Sequence, residues 1–140
     1  MIDAGILDSN VLLRYILRDI PDQADQTRTL LRKIGVGEAE AVLLPTIFLE
    51  VVYVLERQYR LGRDRIGDTL YEILMLNGIR IVDREQLLDA AIEYRRRPGI
   101  SFADAYHCAM ARDFHSGSII SFDRKLNGIP GVTRRDPEEV

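Results

Sequence analysis

The chain of 140 residues is long enough for one compact domain with a single core and too short for two ordinary ones. Its 46% hydrophobic and 29% charged content excludes a disordered chain, and no apolar run approaches the roughly 20 residues of a membrane span. A net charge of -3 argues against a strongly basic nucleic-acid binder, while the single cysteine, Cys108, excludes an internal disulfide and fits a reducing, cytoplasmic home.

The opening MIDAGILD carries no basic region ahead of a long apolar one, so no secretory signal is expected. Residues 4–8 read as a short buried strand, and Asp8-Ser9-Asn10 offers turn and N-cap chemistry for a helix through VLLRYIL. Ile20-Pro21-Asp22 breaks that helix, a second runs from 22 to 34, and Gly35-Val36-Gly37 ends it. Residues 41–44 form a second strand, and Pro45-Thr46 starts a third helix to Tyr59 with Thr46 as its N-cap. Leu61-Gly62 closes it, a fourth helix spans 63–76, and Asn77-Gly78 turns the chain into a third strand at 79–82. A fifth helix at 84–96 ends before Pro98-Gly99, and a sixth covers 101–115. After Gly117 come a fourth strand at 118–121, one helical turn at 123–126 and an edge strand near Val132. Short apolar strands alternating with helices predict an α/β fold, a three-layer α/β/α sandwich around a central, mostly parallel sheet of four to five strands. One domain is expected over residues 1–135, with 136–140 as a frayed tail.

Four acidic residues interrupt four of the most apolar stretches: Asp8 in GILDSNVLLRYIL, Glu50 in TIFLEVVYVL, Asp104 in SFADAYHCAMA and Asp123 in SIISFDRKL. A carboxylate buried in such surroundings costs several kcal/mol unless a partner compensates it. Asp8 follows the first strand, Glu50 lies one turn into the helix after the second, and Asp123 lies just past the fourth. The helix of Asp104 must deliver the chain to the amino end of the fourth strand, so its own start lies at the opposite edge. Connectivity thus places all four at the carboxyl edge of the sheet, where parallel sheets bind ligands. The partner that four carboxylates most naturally share is a divalent cation, and hard oxygen donors suit Mg²⁺ or Mn²⁺.

Each acid also has a purely structural reading. Ser101-Phe102-Ala103-Asp104 matches a capping box, Asp8 and Asp123 suit turns, and Glu50 suits the positive end of its helix. Caps, however, require neither an apolar cradle nor a shared edge. Ser9, Asn10 and Ser121 stand beside the acids and could orient a metal-bound water or a phosphate. Arg14, one turn from Asn10, could reach a phosphate or form a surface ion pair. The run Arg95-Arg96-Arg97 complements the end of its helix or steers RNA. His107 reads as a packed helix residue and Cys108 as core, and no zinc cluster, phosphate loop or nucleophile elbow is present.

At these residues the sequence resembles a PIN domain, specifically a VapC-type toxin of a bacterial or archaeal toxin–antitoxin pair. LDSNVLLRYILRDIPDQ, PTIFLEVVYVLERQY, SFADAYHCAMA and SFDRKLNGIPGV resemble the family's successive motifs with Asp8, Glu50, Asp104 and Asp123. Ser9 and Ser121 stand where Thr is common and keep the hydroxyl, while Ser101 stands where a further acid is frequent. The resemblance implies a Mg²⁺- or Mn²⁺-dependent endoribonuclease acting on RNA, a homodimer, and a cognate antitoxin that covers a groove near the site, with no membrane association. Apolar surface including Tyr15, Tyr53 and Tyr59 could serve the dimer or the antitoxin, or be ordinary core. The competing readings are a catalytically silent binding or regulatory module and a phospho-acceptor receiver domain. Against the receiver, Asp8 stands alone after the first strand.

Overall fold

Strands joined through helices pair in parallel, because a helical crossover returns the chain in the direction from which it came. The computed structural model describes residues 2–140. They fall into two compact units, Met1–Asp83 and Arg84–Val140. The first unit contains β1 (Ile2–Ile6), α1 (Ser9–Leu17), α2 (Pro21–Gly35), β2 (Ala39–Leu43), α3 (Pro45–Arg57), α4 (Arg63–Leu74) and β3 (Ile79–Ile81). The second contains α5 (Arg84–Arg96), α6 (Phe102–Phe114), β4 (Ser118–Ile120) and β5 (Thr133–Arg135), with 3₁₀ turns at Arg124–Leu126 and Pro137–Glu139. The α/β class is as expected. All described strand pairs are parallel, in a three-stranded set β1-β2-β3 and a two-stranded set β4-β5.

In the first unit, β2 lies centrally, with Ile6 opposite Val42 and Leu43 opposite Ile81. Helix α3 buries Phe48, Val51, Val52 and Leu55, the i, i+3, i+4, i+7 pattern of one helical face. Helix α4 buries Ile66, Leu70, Ile73 and Leu74 in the same way. Each such side chain contributes about 1.5–3 kcal/mol by leaving water. Gly78 enters β3 at φ +83, and a side chain there would run into the carbonyl of Ile34. Thr46 is not the cap expected of α3. Leu44 holds that position without a side-chain bond and Pro45 opens the helix, since its fixed φ suits a first-turn residue whose missing N–H is not needed. Strand β1 begins earlier than expected and is not buried, with Ile2 66% and Ile6 62% exposed.

In the second unit, α5 and α6 form an antiparallel pair. Gln86 at the start of α5 donates to Asp113 at the end of α6 (2.7 Å), and Tyr94 meets Phe102 edge-on at 5.9 Å between ring centres. Ala105, Cys108 and Ala109 are fully buried small residues on α6. Ser116 and Gly117 (φ 54 and 80) reverse the chain from α6 into β4. The residues expected as a frayed tail form a 3₁₀ turn in which Asp136 and Glu139 build a capping box.

Candidate active site

In the first unit, parallel pairing puts the ends of β1 and β2 at one edge of the sheet. The N–H of Leu7 donates to Val42 at 2.9 Å, one residue before Asp8. Asp8 is the N-cap of α1, and its Oδ2 accepts the Asn10 N–H at 3.4 Å. This cap turns the chain from strand to helix and leaves Oδ1 without a protein partner among the described residues. Ser9 is buried as the first residue of α1, and Asn10 is exposed beside it. Helix α3 starts at the same edge, two residues past β2, and Glu50 lies in its second turn. Glu50 is exposed, and among the described residues its carboxylate has no hydrogen-bond or ion-pair partner. Arg14 is engaged with Asp19 at 2.6 Å, the surface ion pair weighed as its alternative.

In the second unit, Ser101 caps α6, and its Oγ accepts the Asp104 N–H at 3.0 Å. Only this half of the capping box forms. The half-buried carboxylate of Asp104 has no hydrogen-bond or ion-pair partner among the described residues. Asp104 lies ten residues before the end of α6, roughly 15 Å along the helix. Asp123 lies five residues past the start of β4, roughly 16 Å of extended chain. Left-handed Ser116 and Gly117 turn the chain from α6 into β4, and a reversal there would bring both acids toward one end of this unit. Asp123 caps the turn Arg124–Leu126, its Oδ1 accepting the Lys125 N–H at 3.0 Å, and its own N–H is held by Ser121 Oγ at 3.0 Å. Ser121 therefore acts first as a turn former, with its hydroxyl proton still available to donate.

The apolar neighbours of the acids do not bury them. Asp8, Glu50 and Asp123 are exposed. Around Glu50 the flanking Phe48, Val51 and Val52 turn to the core while residue 50 points outward, a separation of about 100° per residue that a linear sequence conceals. The expected burial cost is therefore absent for these three, while Asp104 is half-buried. Each unit by itself carries two of the four acids, and among the described residues no three His, Cys, Asp or Glu side chains are gathered as a metal cage. The donors nonetheless suit a hard cation, since each acid keeps at least one carboxylate oxygen without a protein partner. His107 is exposed, and Cys108 is buried with its thiol pushed up by desolvation, so neither belongs to the site.

One residue was missed in the sequence. Arg134, in β5, donates to the carbonyl of Ser121 (2.6 Å), to Asn127 Oδ1 (2.9 Å) and to Asp136 Oδ1 (2.7 Å). It fastens both ends of the loop that carries Asp123. Its only sequence signal was an arginine beside the edge strand expected near Val132.

A family model described as PIN domain matches residues 5–132. No curated protein and no solved structure gave a significant match. PIN domains are generally metal-dependent nucleases.

Proposed function

Because the chain belongs to the PIN domain family, we propose that it is a Mg²⁺- or Mn²⁺-dependent endoribonuclease and the toxin of a toxin–antitoxin pair. The observation that carries this reading is the set of open carboxylate oxygens on Asp8, Glu50, Asp104 and Asp123, delivered in pairs to the helix starts and strand ends of the two units. These four acids are the proposed ligands. A bound cation supplies activation of a water and neutralises charge at the leaving oxygen of the phosphodiester. Asp123 is oriented by its own cap, its Oδ1 accepting the Lys125 N–H at 3.0 Å, whereas Asp8 is held more loosely at 3.4 Å. One of the four accepts the proton of the attacking water. Ser9, Asn10 and Ser121 offer donors beside the acids for water or phosphate. Arg14 serves a phosphate by exchanging out of its pair with Asp19, a cheap exchange because such pairs are worth about 0–1 kcal/mol at the surface.

On the PIN-family reading we assign the protein to the cytoplasm with RNA as substrate; separately, no described helix is long and apolar enough to cross a membrane. The exposed Tyr53, Tyr59, Tyr71 and Met75 on and around α3 and α4 support a protein-binding face for a second copy or the antitoxin. The test is to map RNA ends in cells expressing the wild type or Asp8→Asn. New ends at defined positions with the wild type alone support the reading. Identical patterns of ends in both would favour the catalytically silent module.

A further inference from the structure

The second unit contains a hollow of about 470 Å³ bounded by the end of α5, the loop into α6 and the turn after β4. Its side walls carry Arg96, Arg97, Lys125 and Asn127, above Ile100 and Ile129. The two isoleucines are buried. Three cations converge here in a chain whose net charge is -3, and no carboxylate among the described residues lines the hollow. Glu93, one helical turn before Arg97, is half-buried and forms an ion pair with it at 2.7 Å. With Arg97 paired to Glu93, Arg96 and Lys125 bring the excess positive charge, which repels a metal ion and favours an anion with several oxygens.

The walls also lead directly to two of the acids. Lys125 offers its side chain to the hollow while its backbone N–H binds Asp123. Ile100 immediately precedes Ser101, whose hydroxyl holds the backbone of Asp104. From this continuity we propose that the hollow seats a backbone phosphate of the RNA strand, next to the phosphate that is cut. The inference rests on the ribonuclease reading for the identity of the polyanion. Arg96, Arg97 and Lys125 would then supply sequence-independent grip, and base identity would be read elsewhere.

The experiment measures binding of a fluorescein-labelled single-stranded RNA to the full-length protein in excess EDTA across a KCl series. Wild type is compared with Arg96→Ala/Lys125→Ala and with Arg28→Ala/Arg32→Ala, which removes the same charge from α2. Each phosphate no longer neutralised lowers the slope of log affinity against log salt by roughly 0.7 for a single strand, so the hollow variant, which loses one seated phosphate, should lose about 0.7. The α2 variant should keep the wild-type slope. Equal slopes in all three proteins would overturn the inference, as would equal losses in both variants, because bulk charge would then explain the effect. Binding of an acidic peptide that depends on Arg96 and Lys125 while RNA binding does not would also overturn it. A parallel Mg²⁺ cleavage assay separates the two readings. Cleavage with an unchanged slope removes the hollow alone, and a shifted slope without cleavage removes the nuclease reading alone.

Discussion

The guanidinium of Arg134 donates to the backbone carbonyl of Ser121 at 2.6 Å, two residues before Asp123. The same side chain bonds Asn127 and Asp136, so one cation ties the loop after β4 to the C-terminal turn. Its side chain is only 10% exposed, which reduces competition from water. Replacing it with alanine should cost about 1–3 kcal/mol, because a charged donor is lost and its acceptors must find new partners. Urea unfolding measures this directly. Arg134→Lys should recover only part of the loss, since an ammonium cannot span three acceptors as a planar fork does. Full recovery would show that charge alone matters.

The hydrogen bond from Arg134 holds the Asp136 carboxyl below its ordinary value. A depressed folded value means that stability is present above the unfolded value and is lost as pH falls through the folded one. Thermal melting followed downward from about pH 5 should therefore show a steeper loss in the wild type than in Asp136→Asn. Parallel curves for the two proteins would contradict the pairing.

Burial pushes the Cys108 thiol up, and the side chain has no exposed surface. The thiolate is the reactive form, so a thiol reagent should leave the native protein unlabelled and label it fully in denaturant. Rapid labelling in native buffer would mean that α6 opens or that the pair α5–α6 is loosely packed.

Gly117 sits at φ +80, where a side chain would run into the carbonyl of Gly131. Gly117→Ala should cost about 2 kcal/mol or more, combining left-handed backbone strain with that clash. Gly99, with open space around it, should accept alanine with little change in denaturation midpoint.

Much of this architecture was legible in the sequence because its signals are local. The breaks at Pro21, Pro98 and Gly117 and the apolar faces of α3 and α4 follow from backbone chemistry and periodicity. The cap of α6 by Ser101 and the turn begun by Asp123 were readable for the same reason. The environment of the acids was not. Glu50 looks buried in TIFLEVVYVL because a string of letters does not show which way each residue turns, and the structure faces it outward. Convergence across one edge was argued from strand connectivity, whereas the hydrogen-bonded sets are β1-β2-β3 and β4-β5, each unit bearing one pair of acids. Arg134 escaped notice because its partners Ser121 and Asn127 are distant in sequence, and no short pattern marks such a clamp.

On the proposed function, Asp8, Glu50, Asp104 and Asp123 are each ligands of the cation used to cut RNA. Asp104 tests it best, since its carboxylate has no other described hydrogen-bond or ion-pair partner and Asp104→Asn keeps the backbone bond to Ser101. The measurement is cleavage of a labelled RNA by purified protein in Mn²⁺, wild type against Asp104→Asn, with thermal melting of both. The expected result is a loss of more than about a hundredfold, since even residues behind metal ligands cost roughly 10–100-fold, with melting nearly unchanged. Cleavage by Asp104→Asn at the wild-type rate, or undiminished wild-type cleavage in excess EDTA, would contradict the account.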